Sequence, residues 1–113
     1  MKLAIANLEE GRPTSNRALL QLDYELQRAR TSGAAVIKLI HGYGSSGTGG
    51  VLRHAVQDAL RQKLEEGKIR AFVAGEDWRI SNETAWQMQK LIPELKRDRD
   101  LGRGNRGITI VLL

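Results

Sequence analysis

The chain has no cysteine, two histidines, two prolines and five aromatic residues among 113. Without cysteine there is no disulfide, no thiolate zinc site and no thiol nucleophile. Two histidines are too few for a histidine-rich metal cage. Five aromatics argue against a platform of several rings stacked on bases. Long apolar runs are also missing: the longest, Ala34 to Ile40, already carries Lys38 and is far too short to span a bilayer. Met1 to Asn7 is too short for a signal-peptide core. The expectation is one soluble, cytoplasmic domain over residues 1–113, large enough to bury a core.

Positive charge is what the chain does have. Eighteen Lys and Arg against thirteen Asp and Glu give a net charge of +5. That balance favours anionic partners, nucleic acid first, and no membrane. The excess is arginine-rich, and the planar guanidinium suits phosphate better than an ammonium does.

Hydrophobic period sets the elements. Leu3 to Leu8 reads as a first strand. Gly11 to Ser15 is a break with a capping residue, and Leu19, Leu22, Leu26 and Ala29 then recur at helical spacing up to Gly33. Ala35 to Ile40 reads as a central strand. His41-Gly42-Tyr43-Gly44-Ser45-Ser46-Gly47 follows, and Leu52, Val56, Leu60 and Leu64 mark a second helix closed by Gly67. Ile69 to Ala74 reads as a third strand and Ile108 to Leu113 as a fourth. Between these two, residues 79–107 hold a helical stripe (Ala85, Met88, Leu91, Ile92) and an arginine-rich stretch, read as an ordered or orderable loop. Trp86 is expected to anchor this helix on the sheet. The order β-α-β-α-β-α-β implies right-handed crossovers and an α/β fold with two main helices on one face. The C-terminal ends of strands one to three then share one sheet edge, displaying Glu9, Glu10, His41, the glycine turn, Glu76 and Asp77. An antiparallel fourth strand would add Asn105, Arg106 and Gly107.

Gly42-x-Gly44-x-x-Gly47 lets backbone N–H groups approach an anion at a helix start. It fits a bare strand-to-helix turn equally well. The acidic partner of a dinucleotide fingerprint comes late, at Glu76, and there is no Gly-Lys-Ser/Thr of a P-loop.

Lys38-Leu39-Ile40-His41-Gly42-Tyr43-Gly44, followed by Gly50-Val51-Leu52-Arg53 opening a helix, resembles the Smr (small MutS-related) domain. Gly107 to Leu112 is similar to that family's last strand. The resemblance implies a two-layer α/β sandwich with a four-stranded mixed sheet. It also implies binding of DNA or RNA, with nicking or cleavage in several members. One departure stands out. The family usually carries Leu-Asp-x-His-Gly at the end of its first strand, and this chain has Asn7 and Glu9 there with no His or Asp.

On this reading the nucleic-acid contacts fall on Lys38, His41, Gly42, Tyr43, Gly44, Arg53 and Arg106. His41 is also the candidate acid or base, with Glu9 beside it. Glu76 and Asp77 are the candidate ligands for the Mg²⁺ or Mn²⁺ that cleavage would need. Each has a plainer alternative: a loop-fixing histidine, a lysine buried under the extra helix, acidic turn residues, and arginines paired with Asp98 and Asp100. A nucleotide- or small-anion-binding module and a protein-interaction domain remain open alternatives. His54 is expected at the surface.

Overall fold

The computed structural model describes residues 2–43 and 48–113. β1 (Lys2–Asn7) ends in a tight turn in which the Asn7 side-chain oxygen accepts from the N–H groups of Glu9 and Glu10. Thr14 then caps α1 (Ser15–Thr31), its hydroxyl accepting from the Arg17 N–H at 3.2 Å. Arg28 and Arg30 occupy the last turn, where cations suit the helix dipole. Gly33, at φ +81°, reverses the chain into β2 (Ala34–Ile40).

α2 (Thr48–Glu65) leads to β3 (Ala71–Ala74), a short 3₁₀ turn (Gly75–Asp77) and α3 (Glu83–Leu91). Asn82 caps α3 by accepting from Ala85. Pro93 opens a second 3₁₀ helix through Arg97, and β4 (Ile108–Leu112) closes the sheet. β3 starts two residues later than the hydrophobic run predicts. Its ladder begins where Ala71 faces Leu112, the last residue of β4, so Ile69 and Arg70 have no strand partner. Ile69 is buried nonetheless, and the Arg70 N–H still reaches the Leu112 carbonyl.

The sheet order is β1-β2-β4-β3, with β1 parallel to β2 and β4 antiparallel to both neighbours. β1, β2 and β3 therefore run the same way, and β4 brings its N-terminal end to their C-terminal edge. The last strand is inserted between the second and third, so all five of its residues are buried. Alternation along the strands makes two apolar faces. On one, Ala6, Ile37, Leu39 and Val111 meet Leu22 and Leu26 of α1 and Val56 and Leu60 of α2. On the other, Val36, Val73, Ile108 and Ile110 meet Trp78, Ala85, Met88, Ile92 and Leu95. α3 and the second 3₁₀ helix thus cover the face that α1 and α2 leave.

The tryptophan anchoring this second face is Trp78, fully buried, not Trp86, which is 47% exposed and lies beneath the Lys90 ammonium. Ala85, Met88 and Gln89 fill the inward face of α3, which leaves Trp86 and Leu91 outward. Among the described residues no helix is long and apolar enough to cross a membrane.

Candidate nucleic-acid interface

The shared strand edge gathers the turns after β1, β2 and β3 with the start of β4. Two backbone bonds tie it together: the N–H groups of His41 and Gly42 both donate to the Gly107 carbonyl, at 3.0 and 3.1 Å. Gly107 sits closely here: a Cβ would stand 3.2 Å from the Asn105 side-chain oxygen, tighter than ordinary contact, and at van der Waals distance from the Tyr43 ring and Gly42 Cα. Gly75 is more tightly constrained, since a Cβ would fall 1.8 Å from the Asn105 carbonyl oxygen. Arg106 is thereby held next to the His41 turn, and both Arg106 and Tyr43 are exposed. An open groove of about 400 Å³ runs past Glu9, Lys38, Gly42, Tyr43, Arg99, Asp100 and Asn105.

His41 is wholly enclosed. Its Nδ1 lies 2.6 Å from the Gly42 carbonyl oxygen, which can only accept, so Nδ1 carries the proton. Nε2 is then free to accept from the Thr109 hydroxyl at 2.8 Å. Gln57 Nε2 donates to that same hydroxyl oxygen at 3.2 Å. The chain of hydrogen bonds runs Gln57 to Thr109 to His41 to Gly42 and fixes a neutral ring. Burial pushes the His41 pKa below its ordinary value, and the nearby Arg53 adds to this. The Gly42 hydrogen bond, Glu76 and Glu9 oppose it less strongly.

Arg53 lies in the second turn of α2 and pairs with Glu76 from the first 3₁₀ turn. Among the described residues, Nε of Arg53 and Oε1 of Glu76 are buried without a hydrogen-bond partner. Asp77 lies 4.0 Å from Arg79. Both candidate metal carboxylates therefore face a cation, and among the described residues no group of three His, Asp or Glu could hold a metal ion. Among the described residues the donor set does not fit a divalent ion.

Lys38 sits on the second face, 5% exposed. Its ammonium donates to Asp98 at 2.7 Å and Asp100 at 2.6 Å. Asp98 also accepts from the Trp78 indole and from the Asp100 N–H, and Asp100 accepts from Asn105. Burial works against the charged form of Asp100, but the hydrogen bonds from Lys38 and Asn105 outweigh it and hold its pKa below the ordinary range. This network fastens the arginine-rich segment to β2.

The structure thus brings His41, Gly42, Tyr43, Arg53, Glu76, Arg106 and Glu9 to one edge, and places Lys38 beneath α3's layer. Gly44 lies outside the described residues. His54 is exposed, as expected. Thr109 and Gln57 escaped the sequence reading. The available signal was that Thr109 is the single polar residue in Ile108–Leu112, a strand apolar enough to be buried on both faces.

Fold and edge together define an α/β domain with a glycine-turn site at the ends of its parallel strands. The chain belongs to the Smr domain family, whose model matches residues 12–79. The family is generally linked to nucleic-acid binding and endonuclease function. The match begins after β1, so the strand that departs from the family motif lies outside it. The chain is also similar to the Smr domain of Thermus thermophilus MutS2, seen in a crystal structure. Identity is 25%, with 97% of this chain and 96% of that one covered and a TM-score of 0.60. No curated protein sequence gives a match.

Proposed function

We propose that this Smr domain binds DNA or RNA through phosphate contacts at the strand edge. The supporting observation is the placement of the exposed Arg106 and Tyr43 on either side of the contact between Gly42 and the Gly107 carbonyl. In this reading Arg106 supplies a charged fork to phosphate, and Tyr43 offers one face to a base. The backbone around Gly42 and the start of α2 complete the contact. His41 acts on the nucleic acid indirectly. Both ring nitrogens are engaged within the protein, so its role is to hold the turn. Arg53 contributes by anchoring α2 to the turn after β3 through Glu76.

Fluorescence anisotropy with single- and double-stranded DNA and RNA tests the reading. Affinity should fall linearly on a log–log plot of salt, and Arg106→Ala should flatten the slope by about one. Absence of binding to all four probes at low salt would refute it. Supercoiled plasmid and structured RNA, incubated with Mg²⁺ or Mn²⁺, are expected to remain intact. Cleavage that disappears in His41→Ala would instead make His41 catalytic.

A further inference from the structure

β1 is an edge strand with an uncovered side. Leu8 N–H bonds to the Ile40 carbonyl at 2.7 Å, which fixes the alternation: Ala4 and Ala6 turn their backbone groups toward β2. The N–H and C=O groups of Leu3, Ile5 and Asn7 point away, toward the open edge. Among the described residues no backbone group pairs with them there. The same residues place their side chains on the α3 face, where Leu3 and Ile5 are exposed, Ile5 by 55%. They form one wall of an open apolar groove of about 390 Å³ whose floor and far wall are Val36, Ile92 and Leu95. A row of unpaired donors and acceptors beside an apolar groove is the template for strand addition. Lys2 opens β1, but residues 3–6, Leu-Ala-Ile-Ala, carry neither proline nor charge to blunt the edge.

We propose that the β1 edge pairs antiparallel with β1 of a second copy, joining the two sheets into one. A two-fold interface needs a patch that is its own complement, and β1 supplies both halves. Pairing Leu3 of each copy with Ile5 of the other matches the outward-facing backbone groups and sets four apolar side chains in a row over the two grooves. Charge agrees with this direction. Antiparallel pairing carries the exposed Glu9 and Glu10 of one copy past the start of the other's β1, beside a groove whose exposed charged lining is Arg97, Arg99 and Glu94, two cations to one anion. Arg97 forms no ion pair with a described carboxylate of its own chain. One strand and one groove fall short of the ~800 Å² per partner of a standard interface, so the association is expected to be weak, in the high micromolar range.

Sedimentation equilibrium on the intact chain, up to about 1 mM, tests this. The wild type should dimerise. Ile5→Lys should weaken the dimer at least about tenfold, and Ile5→Thr should weaken it less. Circular dichroism checks that both fold. Leu20→Lys, on the exposed face of α1 away from β1, should leave the dimer unchanged. A wild-type monomer at the highest concentration would overturn the proposal. So would a dimer indifferent to Ile5→Lys, or one equally sensitive to Leu20→Lys.

Discussion

Replacing Lys38 by Met should be among the most damaging single changes in this chain. The side chain is 6% exposed, and it is the cation between two carboxylates that are themselves largely enclosed, Asp98 at 5% and Asp100 at 15%. Met keeps most of the aliphatic stem, so the apolar lining of this face, Val36 and Leu95 included, changes little. The ammonium alone is lost. Two negative charges then share one poorly hydrated site, with Trp78, Asn105 and one backbone N–H as their remaining donors. Breaking a buried pair by removing one partner costs about 3–5 kcal/mol. For a domain of this size, with total stability of order 10 kcal/mol, that is a third to a half of the whole. It corresponds to a fall in Tm of about 10–25 °C.

Urea melts followed by far-ultraviolet circular dichroism, with Trp78 fluorescence as a local probe, give the number. Adding Asp98→Asn and Asp100→Asn to Lys38→Met removes all three charges and should recover more than half of the loss. The penalty in the single variant should also shrink as pH falls, because protonation neutralises the stranded carboxylates. A loss under about 1 kcal/mol, the range of an exposed pair, would refute the argument. So would a triple variant less stable than the single one, which would mean that the site needs hydrogen-bond geometry more than charge balance.

Thr109→Val should cost about 1–3 kcal/mol by leaving His41 Nε2 buried without a donor, and Thr109→Ser only about 1 kcal/mol. The Nδ1–H tautomer of His41, read by nitrogen-15 NMR, should persist in the Ser variant and blur in the Val variant. The folded pKa of His41 lies below its ordinary value of 6.5, so unfolding takes up a proton. Its contribution to stability is then full above pH 6.5 and is lost as pH falls from 6.5 toward the folded value, so melts at pH 7.5 and 5 should differ by less in His41→Gln. Gly75→Ala should destabilise by more than about 1 kcal/mol, because its Cβ would press on backbone at Asn105 and cannot be relieved by a side-chain rotation.

Elements with a local cause were legible in the sequence. Thr14 sits where its short polar side chain caps α1, Gly33 and Gly67 follow the ends of α1 and α2, and the Leu22–Leu26 stripe faces the core. The shared edge with His41, Gly42 and Gly107 followed from crossover handedness plus an antiparallel last strand. What escaped depends on partners far apart in the chain. Lys38 finds Asp98 and Asp100 sixty residues away, and no pattern in β2 announces them. Insertion of β4 between β2 and β3 is equally silent, yet it puts Thr109 under His41. Trp78 and Trp86 differ only in where α3 starts. Trp78 precedes the helix and turns into the second core, and Trp86 falls on its outer face.

The net charge of +5 now has a physical arrangement. In the sequence, Arg97-Asp98-Arg99-Asp100 reads as a mixed segment that could neutralise itself. In the fold, Asp98 leaves the second 3₁₀ helix at φ −63°, ψ 132° and opens a turn, with the Leu101 N–H donating to its carbonyl and the Asp100 N–H to its carboxylate. Both aspartates turn inward to Lys38, and Arg97 and Arg99 turn outward. Arg103 and Arg106 are also exposed, and none of the four arginines forms an ion pair with a described carboxylate. One buried lysine therefore engages two carboxylates and leaves four exposed arginines on one segment without an ion pair among the described residues. Four such contacts would bound the salt slope on duplex DNA at roughly −3.6. A slope near that value would place binding on this segment, and a steeper one would require cations elsewhere, with Arg12 and Arg17 before and within α1 as the next exposed candidates.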